Sequence, residues 1–410
     1  MNAKREANGG GEAHHQRSAR LSALGGGANQ AGGRAYNERL ALSLIRLNGP
    51  LSRAELARLT GLTPQTLSHI VKRLESDGLL TALPPERGRI GQPSTPYALN
   101  PEGAYSFGVK IGRRSIEIVL CDFLGRIVKR ARESHAYPLP GSAMDFIARH
   151  AAAMRKPGIP LRKITGLGIA MPFELWKWAD DVDAPAGALE GWRGLDAAAE
   201  ATRRTGLKAY LANDATAACG AELARDPHSA HLDFLYLFIG SFAGGGVVIN
   251  GALYQGRGGN AGALGSMPVR LGGKTGQLIK HASLITLEHQ LRAAGRDAGL
   301  LQSPDADWSP LGRILDAWIS RSAKALAQAA AAASAVIDFQ RVCIDGALPR
   351  DVLRRLIEHT RLEAAKLALE GLSPFAIEPG GLGAEARALG GAILPMAAAF
   401  STGKEMLLKR

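Results

Sequence analysis

Three stretches of this chain hold residue types and spacings that could do chemistry. Phe238 to Gly251 reads FIGSFAGGGVVING, with glycines clustered between two apolar runs. Such a cluster lets a backbone approach a phosphate or a sugar closely, which makes Gly244 and Gly245 candidate ligand contacts. Asn213-Asp214 closes another apolar run, just ahead of a helical pattern, ATAACGAEL. A carboxylate there accepts two hydroxyl hydrogen bonds with the help of its charge. Asp214 could equally be the N-cap of the helix that follows. The third stretch, GLTPQTLSHIVKRLESDGLL at Gly61 to Leu80, has the form of a DNA-reading unit.

The elements around this third stretch can be read in detail. NERLALSLIRLNG places Leu40, Leu44 and Leu47 on one helical face, and Gly49-Pro50 ends the helix. Ser52, with Glu55 three residues on, forms a capping-box pattern for a second helix that Gly61 closes. Thr63 is the next N-cap, with Pro64 at the first helical position. In the third helix, to about Ser76, Leu67, Ile70, Val71 and Leu74 recur at helical spacing and face the core. Gln65, His69, Lys72 and Ser76 lie opposite, flanked by Thr66, Ser68 and Arg73. That face offers hydrogen-bond donors and acceptors with no carboxylate at its middle. ERGRIGQPSTPYALN then reads as two extended segments joined by a basic tip, where Arg87 and Arg89 could reach phosphates or a minor groove. Residues 34–101 thus read as a winged helix-turn-helix, and the glycine-rich residues 1–33 as a disordered tail.

Charge agrees with this reading. The chain has 410 residues and a formal charge of +13. Residues 1–100 hold thirteen Lys/Arg against seven Asp/Glu, so +6 falls on a quarter of the length. A basic excess densest at that end suits a polyanionic partner. No run reaches the roughly 18 apolar residues of a membrane span, and the first residues lack a signal peptide's apolar core; the expected location is the cytoplasm. Cys121, Cys219 and Cys343 are far apart and suggest neither a disulfide framework nor a CxxC site.

From residue 102 to 410 strands and helices alternate, which indicates an α/β fold. β-rich starts near 105 and 234 suggest two lobes with a cleft between them, divided near 213–230. The Ala-rich stretch Ser320 to Val336 reads as a packing helix.

GLGIAMP at 166–172, Gly191-Trp192, LANDATAACGAE at 211–222 and GSFAGGGVVINGALYQGRGGNAGALG at 240–265, following the winged helix, resemble in order the ROK family of bacterial sugar kinases and sugar-responsive regulators. The resemblance covers almost all of residues 34–410. It implies a two-lobed ATPase clamp of the actin/hexokinase type, joined to a DNA-binding head only in the regulators. The departures are informative. Where kinase members have Asp-x-Gly-Gly-Thr, this chain has Lys110-Ile111-Gly112-Arg113-Arg114-Ser115. Their second phosphate loop, Gly-Thr-Gly-x-Gly-Gly-Gly, reads Gly240-Ser241-Phe242-Ala243-Gly244-Gly245-Gly246. A bulky side chain at Arg113 should keep phosphates away from the backbone. Asn213-Asp214 matches the family's sugar-binding pair, whereas the family's sugar-binding Glu and sugar- and zinc-binding His fall on Ala263 and Ser266. The zinc cysteines fall on Gly276, Leu278 and Ser283, and a further sugar-binding Glu on Ile285. His281 and His289 alone make a poor cage, because a structural zinc takes four N or S ligands. Trp176, Trp178 and Trp192 flank the first-lobe side of the cleft, where one could stack on a sugar ring, although tryptophans more often fill cores.

The resulting expectation is a DNA-binding regulator, a repressor of carbohydrate uptake or metabolism genes, with no catalytic residues, cofactor or metal. Asn213, Asp214, Gly244 and Gly245 are its candidate effector contacts. Its expected partners are double-stranded DNA with a palindromic operator, a small effector such as a sugar or sugar derivative, and a second copy of the chain in a homodimer or homotetramer. The alternatives are a sugar kinase that also binds DNA and a regulator whose pocket is vestigial.

Overall fold

Ser52 and Thr63 set the geometry of the N-terminal head. The computed structural model describes residues 30–85, 94–155, 158–179, 183–226, 229, 232–257 and 259–402. Residues 1–29 and the tip arginines Arg87 and Arg89 lie outside the described residues. Helix α1 is Gln30–Asn48, so it takes in residues 30–33 of the expected tail. After the two-residue strand β1, Leu51–Ser52, comes α2, Arg53–Thr60. The backbone N–H of Ser52 donates to Glu55 Oε2 at 2.8 Å, and Ser52 Oγ accepts from the Glu55 N–H at 3.3 Å. Gly61 ends α2 at φ +70°, a left-handed conformation that favours glycine. Thr63 caps α3, Pro64–Ser76, whose buried face is Leu67, Ile70, Val71 and Leu74. Strands β2, Leu80–Ala82, and β3, Pro96–Leu99, complete a small sheet in the order β1-β3-β2.

The phase expected for α1 is corrected. Its buried residues are Ala41, Leu42 and Ile45, while Leu40 and Leu44 are half-buried and Leu47 is exposed. The helix serves two neighbours, the head core on one side and the body on another. Arg46, for example, donates to the Phe123 carbonyl at 2.8 Å. A single apolar stripe read from sequence averages over both contacts.

The body contains one topology twice. The first lobe has β4 (Tyr105–Ile111), β5 (Ser115–Cys121), β6 (Ile127–Ser134), α4 (Pro140–Met154), β7 (Ile164–Ala170), α5 (Ala197–Thr205) and β8 (Ala209–Ala212). Helix α6 (Asp214–Arg225) leads to β9 (Phe234–Ile239), β10 (Ala243–Ile249) and β11 (Ala252–Tyr254). Next come β12 (Pro268–Leu271), β13 (Lys274–Gln277), α7 (Ile279–Ala282), α8 (Leu284–Ala293) and the Ala-rich α9 (Arg313–Ile337). The chain closes with β14 (Arg341–Gly346), α10 (Arg350–Ala364), β15 (Ala376–Pro379) and α11 (Ala386–Phe400). The sheets run β6-β5-β4-β7-β8 and β11-β10-β9-β14-β15. Each has three antiparallel strands followed by two parallel ones. Asn250 and Gly251, both at positive φ, make the β10–β11 turn.

Helix α11 is last in sequence yet packs on the first lobe. Gly108 on β4 and Gly168 on β7 face its backbone so closely that a Cβ at either would overlap main-chain atoms of α11. Gly390 has the same relation to the Ala217 backbone of α6. At its far end Met396 and Phe400 join the core of the head, with Phe123 from the β5–β6 turn.

Candidate functional site

The head presents the outer face of α3 to solvent. Gln65, His69, Lys72, Arg73 and Ser76 are exposed, and Thr66 and Ser68 are half-buried. Thr63 Oγ1 accepts from the Thr66 N–H at 3.2 Å and lies 2.9 Å from its hydroxyl, so Thr66 belongs partly to the cap. Arg73 lies 3.4 Å from Glu38 on α1 and 3.8 Å from Asp77. Both carboxylates border the C-terminal end of the face; Gln65, Ser68, His69 and Lys72 stand nearer its N-terminal half and middle.

In the cleft the strand end at β8 separates two jobs. Asn213, not Asp214, is the N-cap of α6: its Oδ1 accepts from the N–H groups of Ala215 at 3.1 Å and Thr216 at 3.3 Å. Asp214 is therefore available to the cleft, and its Oδ2 takes Arg387 Nη1 at 3.3 Å. Arg387 lies in the first turn of α11, buried, with its guanidinium carbon 4.9 Å from the centre of the Phe238 ring. Sequence reasoning missed Arg387, since nothing local ties it to a residue 173 positions away.

The glycine triplet is a packing device first. A Cβ at Gly244 would lie 2.9 Å from that of Ala215, and side chains at Gly245 and Gly246 would overlap Leu264 and Cys219. Strand β10 thus lies against α6 and the 264–266 turn. Gly244 and Gly245 still line a cavity of about 180 Å³ together with Asn213, Asp214 and Phe242. Phe242, where the resemblance puts a phosphate-loop glycine, meets Trp178 edge-on with centroids 4.4 Å apart. Of the three flanking tryptophans only Trp178 lines this cavity. Trp192 is buried and donates to the Pro138 carbonyl at 2.7 Å, and Trp176 packs in the first lobe beneath Arg193.

The opposite loop, 112–115, is filled with cations. Lys110 is buried and donates to Ser115 Oγ at 2.9 Å. Gly112 leaves room for it; a Cβ there would be 2.7 Å from Lys110 Cε. Burial, reinforced by the charge of Arg387, pulls the Lys110 ammonium down to about 7. Arg113, with its side chain 1% exposed, crosses to the second lobe and donates to Glu288 Oε2 at 2.8 Å. Arg114 lies 3.4 Å from Glu288 and 3.5 Å from Asp183, and Arg292 joins Asp183 at 3.0 Å. These pairs clasp the lobes together. Behind them is a second cavity of about 300 Å³, which shares Gly112, Arg113, Ser241 and Arg387 with the first.

At the loop where the resemblance puts zinc ligands, Ser283 forms a neutral clasp. Its hydroxyl donates to the Ile279 carbonyl at 2.6 Å and accepts from the Ala243 N–H at 2.8 Å. Leu278 and Ile285 are core residues, and His289 is exposed. Among the described residues no group of three His, Cys, Asp or Glu side chains could hold a metal.

A helix-turn-helix head on a duplicated, cleft-bearing α/β body defines a DNA-binding protein with a sugar-kinase-like fold. Residues 106–295 match the ROK family, and residues 34–81 the winged helix-turn-helix DNA-binding family. The chain carries a ROK family domain behind an N-terminal winged helix-turn-helix. An uncharacterised protein of Sinorhizobium fredii, y4fQ, is 29% identical over 90% of this chain and 93% of its own length. The xylose repressor of Bacillus spizizenii is 27% identical over 60% of this chain, which spans 64% of that repressor. Among solved structures, a ROK family transcriptional regulator homologous to the Escherichia coli MLC protein superposes with a TM-score of 0.63 at 19% identity, covering 90% of this chain and 97% of its own. A ROK glucokinase of Streptomyces griseus, solved with glucose and AMPPNP, gives 0.55 at 20%, covering 71% and 99%. Both share the fold. Among the described residues no helix is long and apolar enough to cross a membrane.

Proposed function

We propose that this protein is a sugar-responsive DNA-binding transcriptional repressor, acting in the cytoplasm on carbohydrate uptake or metabolism genes, whose kinase-like cleft senses a small effector and transfers no phosphate. One observation carries the reading. A single helix, α11, holds Arg387 against Asp214 in the cleft and Phe400 against Phe123 beside the head. The xylose repressors among its relatives support the sugar class. Gln65, Ser68, His69 and Lys72 reach base edges in the major groove, and Arg73, Arg87 and Arg89 meet phosphates or the minor groove. A homodimer or homotetramer on a palindromic site supplies the specificity that one short helix lacks. Asn213, Asp214, Gly244 and Gly245 border the effector.

Ligand that displaces Asp214 from Arg387 favours one seating of α11, and so one placement of the head. That is a population shift, with size set by the effector's differential affinity for the two states. Phosphoryl transfer is disfavoured because Lys110 stands where a metal-handling carboxylate would be, and Phe242 fills the phosphate loop. ATP turnover with hexoses and aminosugars tests this: no product above the protein-free rate is expected, and sustained phosphorylation would restore the kinase reading. A melting screen addresses the vestigial-pocket alternative, since a ligand at 100 times its Kd adds about 2.7 kcal/mol.

A further inference from the structure

The lining of the smaller cavity divides by chemistry. Asp214 has Oδ2 on Arg387 and offers Oδ1, and Thr216, Asn260 and Ser266 line the same space with side chains that make no hydrogen bond among the described residues. These four suit the hydroxyls of a ligand. Another part of the wall is aromatic. Trp178 ends a short turn of the first lobe, Leu175–Trp178, and Phe242 lies between β9 and β10 of the second. Their rings meet edge-on with centroids 4.4 Å apart, so this wall is continuous across the cleft. Both side chains are half-buried, and Phe242 carries no polar atom. Ile279, also half-buried, adds to the apolar lining. A cavity of about 180 Å³ is below the roughly 300 Å³ at which ordinary small-molecule pockets begin, which suits a single sugar ring.

A hydroxyl laid against Phe242 gives up water and finds no partner there, whereas a methyl in the same place gives up nothing and buries apolar surface. A hexose ends in a hydroxymethyl group. A 6-deoxyhexose ends in a methyl at the same carbon, the most apolar group that a simple sugar ring carries. We propose that Phe242 and Trp178 are specificity-determining residues that select a 6-deoxyhexose, with its methyl against the two rings and its hydroxyls on Asp214, Thr216, Asn260 and Ser266. This rests on the reading that the cleft takes a carbohydrate effector, and it narrows that class. A ligand so placed touches both lobes through one aromatic wall. Its contact to Asp214 also reaches the carboxylate that holds Arg387 at the start of α11.

The experiment is calorimetric titration of the full chain with a set of 6-deoxyhexoses, each paired with the hexose of the same configuration. At least one 6-deoxyhexose is expected to bind about fivefold or more tighter than its parent. F242A opens space for a hydroxymethyl group and a water beside it. The parent hexose should therefore bind this variant more tightly than it binds the wild type, a gain that misfolding does not produce, and the preference should fall below about twofold. W178A alters the wall from the other lobe and should also reduce the preference; either variant that keeps a cooperative melt decides the point. Parent hexoses binding as tightly as their 6-deoxy partners, or a preference undiminished in these variants, would overturn the aromatic selection and leave the effector reading standing. Binding by neither set would overturn the selection too, and silence of the melting screen across all sugars would overturn the effector reading itself.

Discussion

Phe400, the last residue of α11, meets Phe123 edge-on with ring centroids 4.8 Å apart, and Arg46 of the head lies over the Phe123 ring with its guanidinium carbon 5.0 Å from the ring centre. Fourteen residues earlier in the sequence, the same helix begins beside the cleft. A helix of that length spans about 22 Å. Its glycine-mediated contacts with β4, β7 and α6 leave little room for it to deform independently. Phe400→Ala removes the aromatic contact at the head end only. The expected cost is about 2 kcal/mol of stability. DNA binding without effector should persist, while the change in DNA affinity on adding effector should shrink at least threefold. Paired calorimetry and anisotropy titrations check both numbers.

Arg113 and Glu288 join the lobes where neither side chain is well solvated, with exposures of 1% and 15%. Glu288→Gln leaves a buried guanidinium without its anion, which should cost about 3 kcal/mol in chemical denaturation. Replacing both residues by methionine should recover most of that loss. A double-mutant cycle with additive losses would mean that the pair does not act as a clasp.

Lys110 makes stability depend on pH in a stated direction. Its folded value is about 7, below the ordinary lysine value of 10.5, so the unfolded chain binds more protons between those values. Stability therefore rises as pH climbs from about 7 to 10.5, and the full penalty is present below 7. Lys110→Met should stabilise the protein at pH 6 by a few kcal/mol and flatten this part of the pH profile. Urea midpoints at pH 6, 7.5 and 9 measure it; a variant less stable than the wild type at pH 6 would contradict the assignment.

Gln65 and Arg87 separate reading from gripping. Gln65→Ala should cost about 1–3 kcal/mol on the preferred sequence and relax the choice of base there. Arg87→Ala should weaken all sequences alike and lower the salt slope by about 1. Equal losses on every duplex from both variants would place the outer face of α3 elsewhere.

The parts legible in the sequence were those set by local chemistry. Ser52–Glu55, Thr63-Pro64 and Gly61 announce the head's helices, because caps act within one turn. The period of Leu67, Ile70, Val71 and Leu74 gives the orientation of α3. The phase of α1 departs from the Leu40, Leu44 and Leu47 stripe because Ala41, Leu42 and Ile45 are the buried residues of a helix that serves two partners. Asp214 has the residue type and place of a cap, but Asn213 before it does the capping, a difference of one position that only the backbone resolves. Arg387 carried no signal at all: its role depends on α11 returning to the first lobe. The glycine triplet suggested a ligand, and the structure explains it first by Ala215, Leu264 and Cys219 packed against it.

The most direct test of the account is anisotropy of a labelled duplex, selected by the full chain from a random library, titrated with the compound that most raises its melting temperature and separately with Mg-ATP. The account predicts that the compound shifts DNA affinity at least fivefold, about 1 kcal/mol, and that Mg-ATP leaves it unchanged and unhydrolysed. A duplex affinity indifferent to the compound, with ATP bound and consumed in the presence of a sugar, would contradict it.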